Sequence, residues 1–262
     1  MELGIKGKVA IVTGATKGIG RAIADELAAE GVNLALAART PVDLEKAAAE
    51  IRSHRQVQVL TVASDLGTLD GVQNLSRKTI GHYGRIDFLF NVAGAIRSGS
   101  LLTKPDADWL EDWNVKLFGY MRMMREVFPH MQSGGGGRIV NIIGRAGREA
   151  DPAYLAGGAA NAALMNITKA LAVEGGAYKV LINAINPGPT RTERYDGINA
   201  HLADLWGISL PEVEQRRVQD NPLSRPCEPD EVAALAVFLV SARAGYINGV
   251  IMELDGGETR CI

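Results

Sequence analysis

Apolar residues along this chain come in short, nearly unbroken runs separated by longer amphipathic stretches. The runs are VAIVTG (9–14), VNLALAA (32–38), VQVLTVAS (57–64), IDFLFNVAG (86–94), GRIVNII (137–143), VLINAINPG (180–188) and IMEL (251–254). Runs this short and apolar on both faces are strands of a parallel sheet covered on each side by helices. The intervening segments, such as RAIADELAAEG (21–31), have helical spacing. The pattern predicts an α/β fold with a doubly wound sheet of seven mostly parallel strands and helices on both faces. A length of 262 residues with 47% apolar content suits one domain with a sizeable core. We therefore expect a single domain over 1–262. SGGGG (133–137) reads as a turn before the fifth strand, too short for a linker.

The first strand runs into a glycine-rich turn, TGATKGIG, and then into a helix. Gly14, Gly18 and Gly20 let the backbone turn tightly and approach a pyrophosphate without an intervening Cβ. The helix beginning near Ile19 points its free amides and positive dipole end at that group. Strand, glycine turn, helix and second strand in this order are the context a Rossmann-type dinucleotide site requires. At the end of the second strand an acid would bind a ribose 2′-hydroxyl, whereas a cation accommodates a 2′-phosphate. Arg39 stands there and Lys17 lies inside the turn, with no acid beside either. Two cations suit a dianion, so NADP(H) is expected in preference to NAD(H).

These residues resemble the short-chain dehydrogenase/reductase family, in its single-domain type similar to 3-oxoacyl-ACP reductases, and the resemblance runs nearly end to end. Thr13 to Gly20 matches TGxxxGIG, and Asp65 in SDL matches the residue that contacts adenine. Asn91, Ala93 and Gly94 match NNAG, with Val92 in place of its second Asn. Pro187, Gly188 and Thr192 match PGxxxT, which meets the nicotinamide carboxamide, and the terminal DGG is also present. The resemblance implies a cofactor site of Gly14, Thr16, Lys17, Gly18, Ile19, Gly20, Arg39, Asp65, Leu66, Asn91, Ala93, Gly94, Asn161, Pro187, Gly188, Thr190 and Thr192. It also implies that Asn114, in WNVKLFGY, supports a catalytic Lys through a water, and that two apolar helices (108–131 and 159–174) and the last strand build a homodimer or homotetramer.

The departures fall on the chemistry. The family places Ser after its fifth strand, then Tyr and Lys as YxxxK on the next helix. Here those positions hold Gly144, Gly157 and Asn161. In the family, Ser orients a carbonyl, Tyr protonates it, and Lys lowers the Tyr pKa and holds the nicotinamide ribose. A positioned acid is worth about 10²–10⁴ in rate, so the family mechanism is not expected to operate unchanged. Asn161 keeps the capacity to hydrogen-bond a ribose hydroxyl but has no charge with which to shift a pKa. Tyr154 lies one helical turn before Gly157. Two roles stay open for it: substitute proton donor, or wall of the pocket in the loop before the helix.

Arg97, Arg145, Arg148, Arg191 and Arg194 fall in loops at the carboxyl ends of strands. They suit an anionic substrate, or they pair with Glu149, Asp151, Glu193 and Asp196. A lid is expected over about 190–221, with short helices in HLADLWGIS and PEVEQRRVQD, and Trp206, Leu202, Leu205 and Leu210 suit a bulky apolar ligand. His201 and Tyr195 are further titratable lid residues.

A net charge of −2 without a basic stripe argues against nucleic acid. No run reaches membrane-spanning length, and the start carries no signal-peptide pattern. Cys227 and Cys261 are isolated thiols without metal or redox spacing, which fits a cytoplasmic location, and no His/Cys/carboxylate cluster suggests a metal. Three readings stand: an NADP(H)-dependent oxidoreductase of a carbonyl or alcohol with a non-standard proton donor; a non-redox isomerase or lyase; and a catalytically silent binding or assembly subunit. In each case the ligand expected is a small molecule, bulky or anionic.

Overall fold

The alternation of apolar runs and helices folds as expected. The computed structural model describes residues 2–94 and 96–261. Its strands are β1 (Val9–Thr13), β2 (Asn33–Ala38), β3 (Val59–Ala63), β4 (Phe88–Asn91), β5 (Gly137–Ile142), β6 (Val180–Pro187) and β7 (Ile251–Leu254). They form one sheet in the order β3-β2-β1-β4-β5-β6-β7, with every neighbouring pair parallel. The helices are α1 (Gly18–Ala29), α2 (Pro41–His54), α3 (Leu69–Tyr83), α4 (Asp106–Ser133), α5 (Leu155–Gly176), α6 (Glu193–Trp206), α7 (Leu210–Val218) and α8 (Pro229–Val240).

Alternate residues of each strand feed opposite cores, as the two-residue period of a strand requires. Ala10, Val12, Leu34, Leu36 and Phe90 pack with Ile23, Leu27, Leu44, Ile51 and Val237 from α1, α2 and α8. Ile11, Ala35, Leu89 and Ile139 pack on the other side with Leu75, Met123, Val127 and Leu164 from α3, α4 and α5. Each fully buried aliphatic side chain contributes about 1.5–3 kcal/mol. Both faces of the sheet are therefore closed, and ligands have access only at its ends.

Strand order reverses at β1, which pairs with β2 on one side and β4 on the other. The connections after β1 and β4 leave in opposite directions, opening a crevice outside their carboxyl ends. Thr13 defines that crevice. Its hydroxyl donates to the Phe90 carbonyl (3.2 Å) and accepts from the amides of Val92 (2.9 Å) and Ala93 (3.1 Å).

The segment after β6 differs from the expectation in one respect. α7 falls in the expected PEVEQRRVQD, but α6 begins already at Glu193, well before HLADLWGIS. Thr192 explains the early start: its hydroxyl accepts from the Tyr195 amide (3.3 Å), and Glu193 and Asp196 complement the positive end of the helix. α7 is held to α6 by Arg217, which lies 4.3 Å over the Tyr195 ring and donates to Asn199 Oδ1.

Gly20 sits where α1 crosses the first turn, and a Cβ there would collide with the Gly14 carbonyl. The obstacle is backbone, so it cannot rotate away. Gly20→Ala should lower stability by about 1–3 kcal/mol, read as a reduced urea midpoint at unchanged m-value.

Candidate active site

The glycine turn closes the floor of the crevice. Gly14 has φ +67° and Gly18 φ +55°, a region that favours glycine. A Cβ on Gly14 would come within 3.1 Å of the Ala93 backbone, and one on Gly18 within 3.1 Å of the Thr192 methyl. The turn thus nestles between the loop after β4 and the start of α6. Lys17 precedes α1 without a side-chain cap, and no acid lies in the first turn. The first amides of α1 remain available to an anion, the condition for pyrophosphate binding.

The other expected cofactor residues ring the same end of the sheet. Asp65 is exposed and accepts from the Gly67 amide (2.9 Å), while Leu66 is buried behind it. Asn91 is fully buried and donates to Asn141 Oδ1 (2.9 Å), but its own Oδ1 has no partner. Pro187 ends β6, and the Gly188 amide donates to the Leu254 carbonyl (3.0 Å). The Thr190 hydroxyl donates to the Gly188 carbonyl (3.0 Å). Thr16 and Ile19 are half-buried within the turn, and Ala93 and Gly94 continue from β4. Arg39 is exposed at the end of β2. Lys17 is also exposed and pairs with Glu193 (2.7 Å). An exposed pair of this kind contributes little and is readily exchanged for a more highly charged anion.

The region after β5 is built around Gly144. Its φ of +136° disfavours any side chain, and its amide donates to Asn186 Oδ1 (3.2 Å). Asn161, buried on α5, donates to the Gly144 carbonyl (3.2 Å) and leaves its Oδ1 buried and unpartnered. An orphaned buried acceptor suits a hydroxyl donor from a ligand. Such an acceptor, an uncapped helix start and a turn that admits no Cβ together fit a nicotinamide dinucleotide.

Tyr154 is the residue immediately before α5. Its ring lies over Gly157, so closely that a Cβ on Gly157 would fall inside it. The structure thus brings Gly144, Asn161, Gly157 and Tyr154 together. Tyr154 fills the space that a larger residue at 157 would take.

Asn114 is not brought to this group. Its amide donates to the Gly67 carbonyl (2.7 Å), and its Oδ1 accepts from Arg122 (2.8 Å), so both ends serve the turn after β3. Two residues on, Lys116 points into the site instead. Its ammonium donates to the carbonyls of Ile142 (2.8 Å) and Ile143 (3.3 Å) and to the Tyr120 hydroxyl (3.0 Å). Burial pushes this amine down to about 7, and the nearby Arg194 charge adds to the shift. Burial holds the Tyr120 hydroxyl well above its ordinary range, with Tyr154 contributing.

Sequence reasoning passed over Lys116 and Tyr120. A signal was there: Asp112, Lys116, Tyr120, Met123, Met124 and Val127 recur at helical spacing and form the buried stripe of α4.

The arginines give a different result from an anion cluster. Arg97 pairs with Asp108, Glu111 and Asp112; Arg145 with Glu149 and Glu258; Arg148 with Glu253; and Arg191 with Glu214 and Glu228. These guanidiniums are neutralised within the chain, by partners mostly distant in sequence. Arg194 differs. It donates to the Ile96 carbonyl (2.9 Å) and has no ion-pair partner among the described residues. Burial raises the carboxyls of Glu253 and Glu258, opposed by Asn186 and Arg148 at the first and by Arg145 at the second.

Known proteins share this sequence pattern and fold. The model of the family described as Enoyl-(Acyl carrier protein) reductase matches residues 14–259. Oxidoreductase UcpA of Escherichia coli O157:H7 is 36% identical, over 97% of this chain and 95% of that protein. The (2S)-[(R)-hydroxy(phenyl)methyl]succinyl-CoA dehydrogenase subunit BbsD of Thauera aromatica is 32% identical over 98% of both. L-Sorbose reductase of Gluconobacter frateurii, solved with NADPH and L-sorbose, superimposes with a TM-score of 0.96 at 32% identity, over the whole of both chains. No helix among the described residues is long and apolar enough to cross a membrane. With its switch-point crevice, glycine turn and near end-to-end relatives, the chain belongs to the short-chain dehydrogenase/reductase family, whose members bind nicotinamide cofactors.

Proposed function

We propose that this protein is an NADP(H)-dependent oxidoreductase of a carbonyl or alcohol substrate, in which Tyr154 serves as proton donor. The observation that carries the reading is the Tyr154 ring over Gly157, beside Gly144 and Asn161 and at the mouth of the cofactor crevice. Gly144, Gly157 and Asn161 are read as the family's Ser, Tyr and Lys positions, and Tyr154 as the hydroxyl restored from a neighbouring position. The cofactor residues are those named from the sequence, from Gly14 to Thr192. The segment over 190–221, with α6 and α7, acts as a lid on this single domain.

Bound in the crevice, the reduced nicotinamide supplies a hydride, which leaves an alkoxide on the substrate. Tyr154 Oη donates the proton that completes the alcohol and regains one from water. Asn161 Oδ1 accepts from a ribose hydroxyl and so fixes the cofactor without a charge. Lys17 and Arg39 hold a 2′-phosphate, with Lys17 released from Glu193, and NADPH in the related sorbose reductase structure is consistent with that preference. Arg194, free of an ion-pair partner, is available to an anionic group of a bulky substrate. The protein is read as cytoplasmic and as a homodimer or homotetramer through α4, α5 and β7.

Fluorescence titration should show NADPH binding tightly and NADH weakly. Arg39→Ala should weaken NADPH about tenfold or more while leaving NADH unchanged. Binding of neither cofactor would overturn the oxidoreductase reading. In a screen of carbonyl substrates, Tyr154→Phe should lower kcat by about 10²-fold or more at unaltered NADPH affinity; unchanged turnover would remove Tyr154 from the mechanism.

A further inference from the structure

We propose that Lys116, carried on α4, is the cation of this active site, a positioning residue whose charge acts on Tyr154. The inference rests on the reductase reading above and adds the group that α5 does not supply. The buried residues in the first two turns of α5 are Ala156, Gly157, Ala160 and Asn161, none of them charged.

Lys116 reaches the same strand end from α4, which packs beside α5. Its ammonium binds the carbonyls of Ile142 and Ile143, and Asn161 binds the next carbonyl, that of Gly144. Three successive carbonyls leading out of β5 are thus held by these two side chains. The lysine stem has room because the loop after β4 carries Gly94. A Cβ there would stand 3.1 Å from both Cβ and Cδ of Lys116. Gly94 has φ +121°, so both backbone geometry and space favour glycine.

The charge on Lys116 is costly where it sits. Its side chain is fully buried, and no carboxylate forms an ion pair with it among the described residues. Isolated buried cations cost several kcal/mol and are rarely kept for packing alone. Its three hydrogen-bond acceptors, two carbonyls and one hydroxyl, match the three donors of an ammonium.

The polar groups around it are few. Tyr120 on its own helix accepts from it and donates to the Ile142 carbonyl (2.9 Å). Arg194 of α6 opposes its charge, and Tyr154, ahead of α5, packs against the same core cluster as Tyr120. The site therefore has one buried ammonium bound to the Tyr120 hydroxyl, in the core cluster against which Tyr154 packs.

During reduction one proton leaves Tyr154 Oη, forms the O–H bond of the product alcohol and is replaced from water. Lys116 keeps its own proton throughout. Its charge stabilises the phenolate that develops on Tyr154 across a site of low dielectric. This requires the ammonium form. With the amine held near 7, reduction should slow as pH rises through that value and Lys116 loses its proton.

The test compares wild type, Lys116→Met and Lys116→Arg, each first shown to melt cooperatively and to bind NADPH with wild-type affinity. The probe is reduction of 9,10-phenanthrenequinone, an activated diketone, by NADPH between pH 5.5 and 9. Wild type should lose about tenfold per pH unit above neutrality. Lys116→Arg, permanently charged, should keep its rate across that range, and Lys116→Met should be at least about tenfold slower than wild type at pH 6. A Lys116→Met enzyme with the wild-type rate and profile would overturn the proposal.

A second measurement needs no turnover. The tyrosinate absorbance of Tyr154, isolated by subtracting the Tyr154→Phe form of each variant, is titrated in both Lys116 variants. Tyr154 should ionise about one pH unit or more lower with Arg at 116 than with Met. Identical titrations would overturn the proposal. A wild-type protein inert toward the quinone would count against the reductase reading, and the titration would then decide the role of Lys116 by itself.

Discussion

One hydroxyl sets the geometry on which the rest depends. Thr13 ends β1 and binds three backbone groups of β4 and the loop beyond it, at the point where strand order reverses. It fixes the distance between the two diverging connections. Gly14 can then pass within contact of Ala93, and α1 can begin with its amides facing open space. The crevice of such a fold follows from backbone placement more than from side-chain contacts, which leaves room for the changes we propose beyond β5.

Those changes are mutually consistent in physical terms. Gly144 takes a backbone conformation closed to other residues, and its carbonyl anchors Asn161. Gly157 yields its space to Tyr154. Lys116 on α4 binds the two carbonyls that precede that of Gly144.

Much of this was legible in the sequence, for physical reasons that differ between elements. The strands were readable because both of their faces are buried, which forces apolar runs, and the glycine turn because steric exclusion demands particular residues at particular spacings. α6 was placed too late, since Thr192 starts it and a cap is a local signal that the hydrophobic pattern does not carry. Of the two roles open to the arginines, pairing within the chain holds for four, but with partners the sequence mostly did not indicate. Their partners, such as Glu253 for Arg148 and Glu258 for Arg145, lie about a hundred residues away, on β7 and just past it. Asn114 was taken for a site residue through its motif, yet its amide serves the turn after β3. Lys116 escaped notice because a lysine among apolar residues reads as a surface position until the burial of its whole stripe is seen.

The central claim is that this site transfers hydride with Tyr154 supplying the proton. It is tested most directly with NADPH carrying deuterium at the transferring C4 position, incubated with the carbonyl substrate and wild-type protein or Tyr154→Phe, with the alcohol analysed by mass spectrometry. The account predicts deuterium on the carbinol carbon with wild type, and label appearing about 10²-fold more slowly with Tyr154→Phe. Tight NADPH binding without label in any product, or equal labelling by the two proteins, would contradict it.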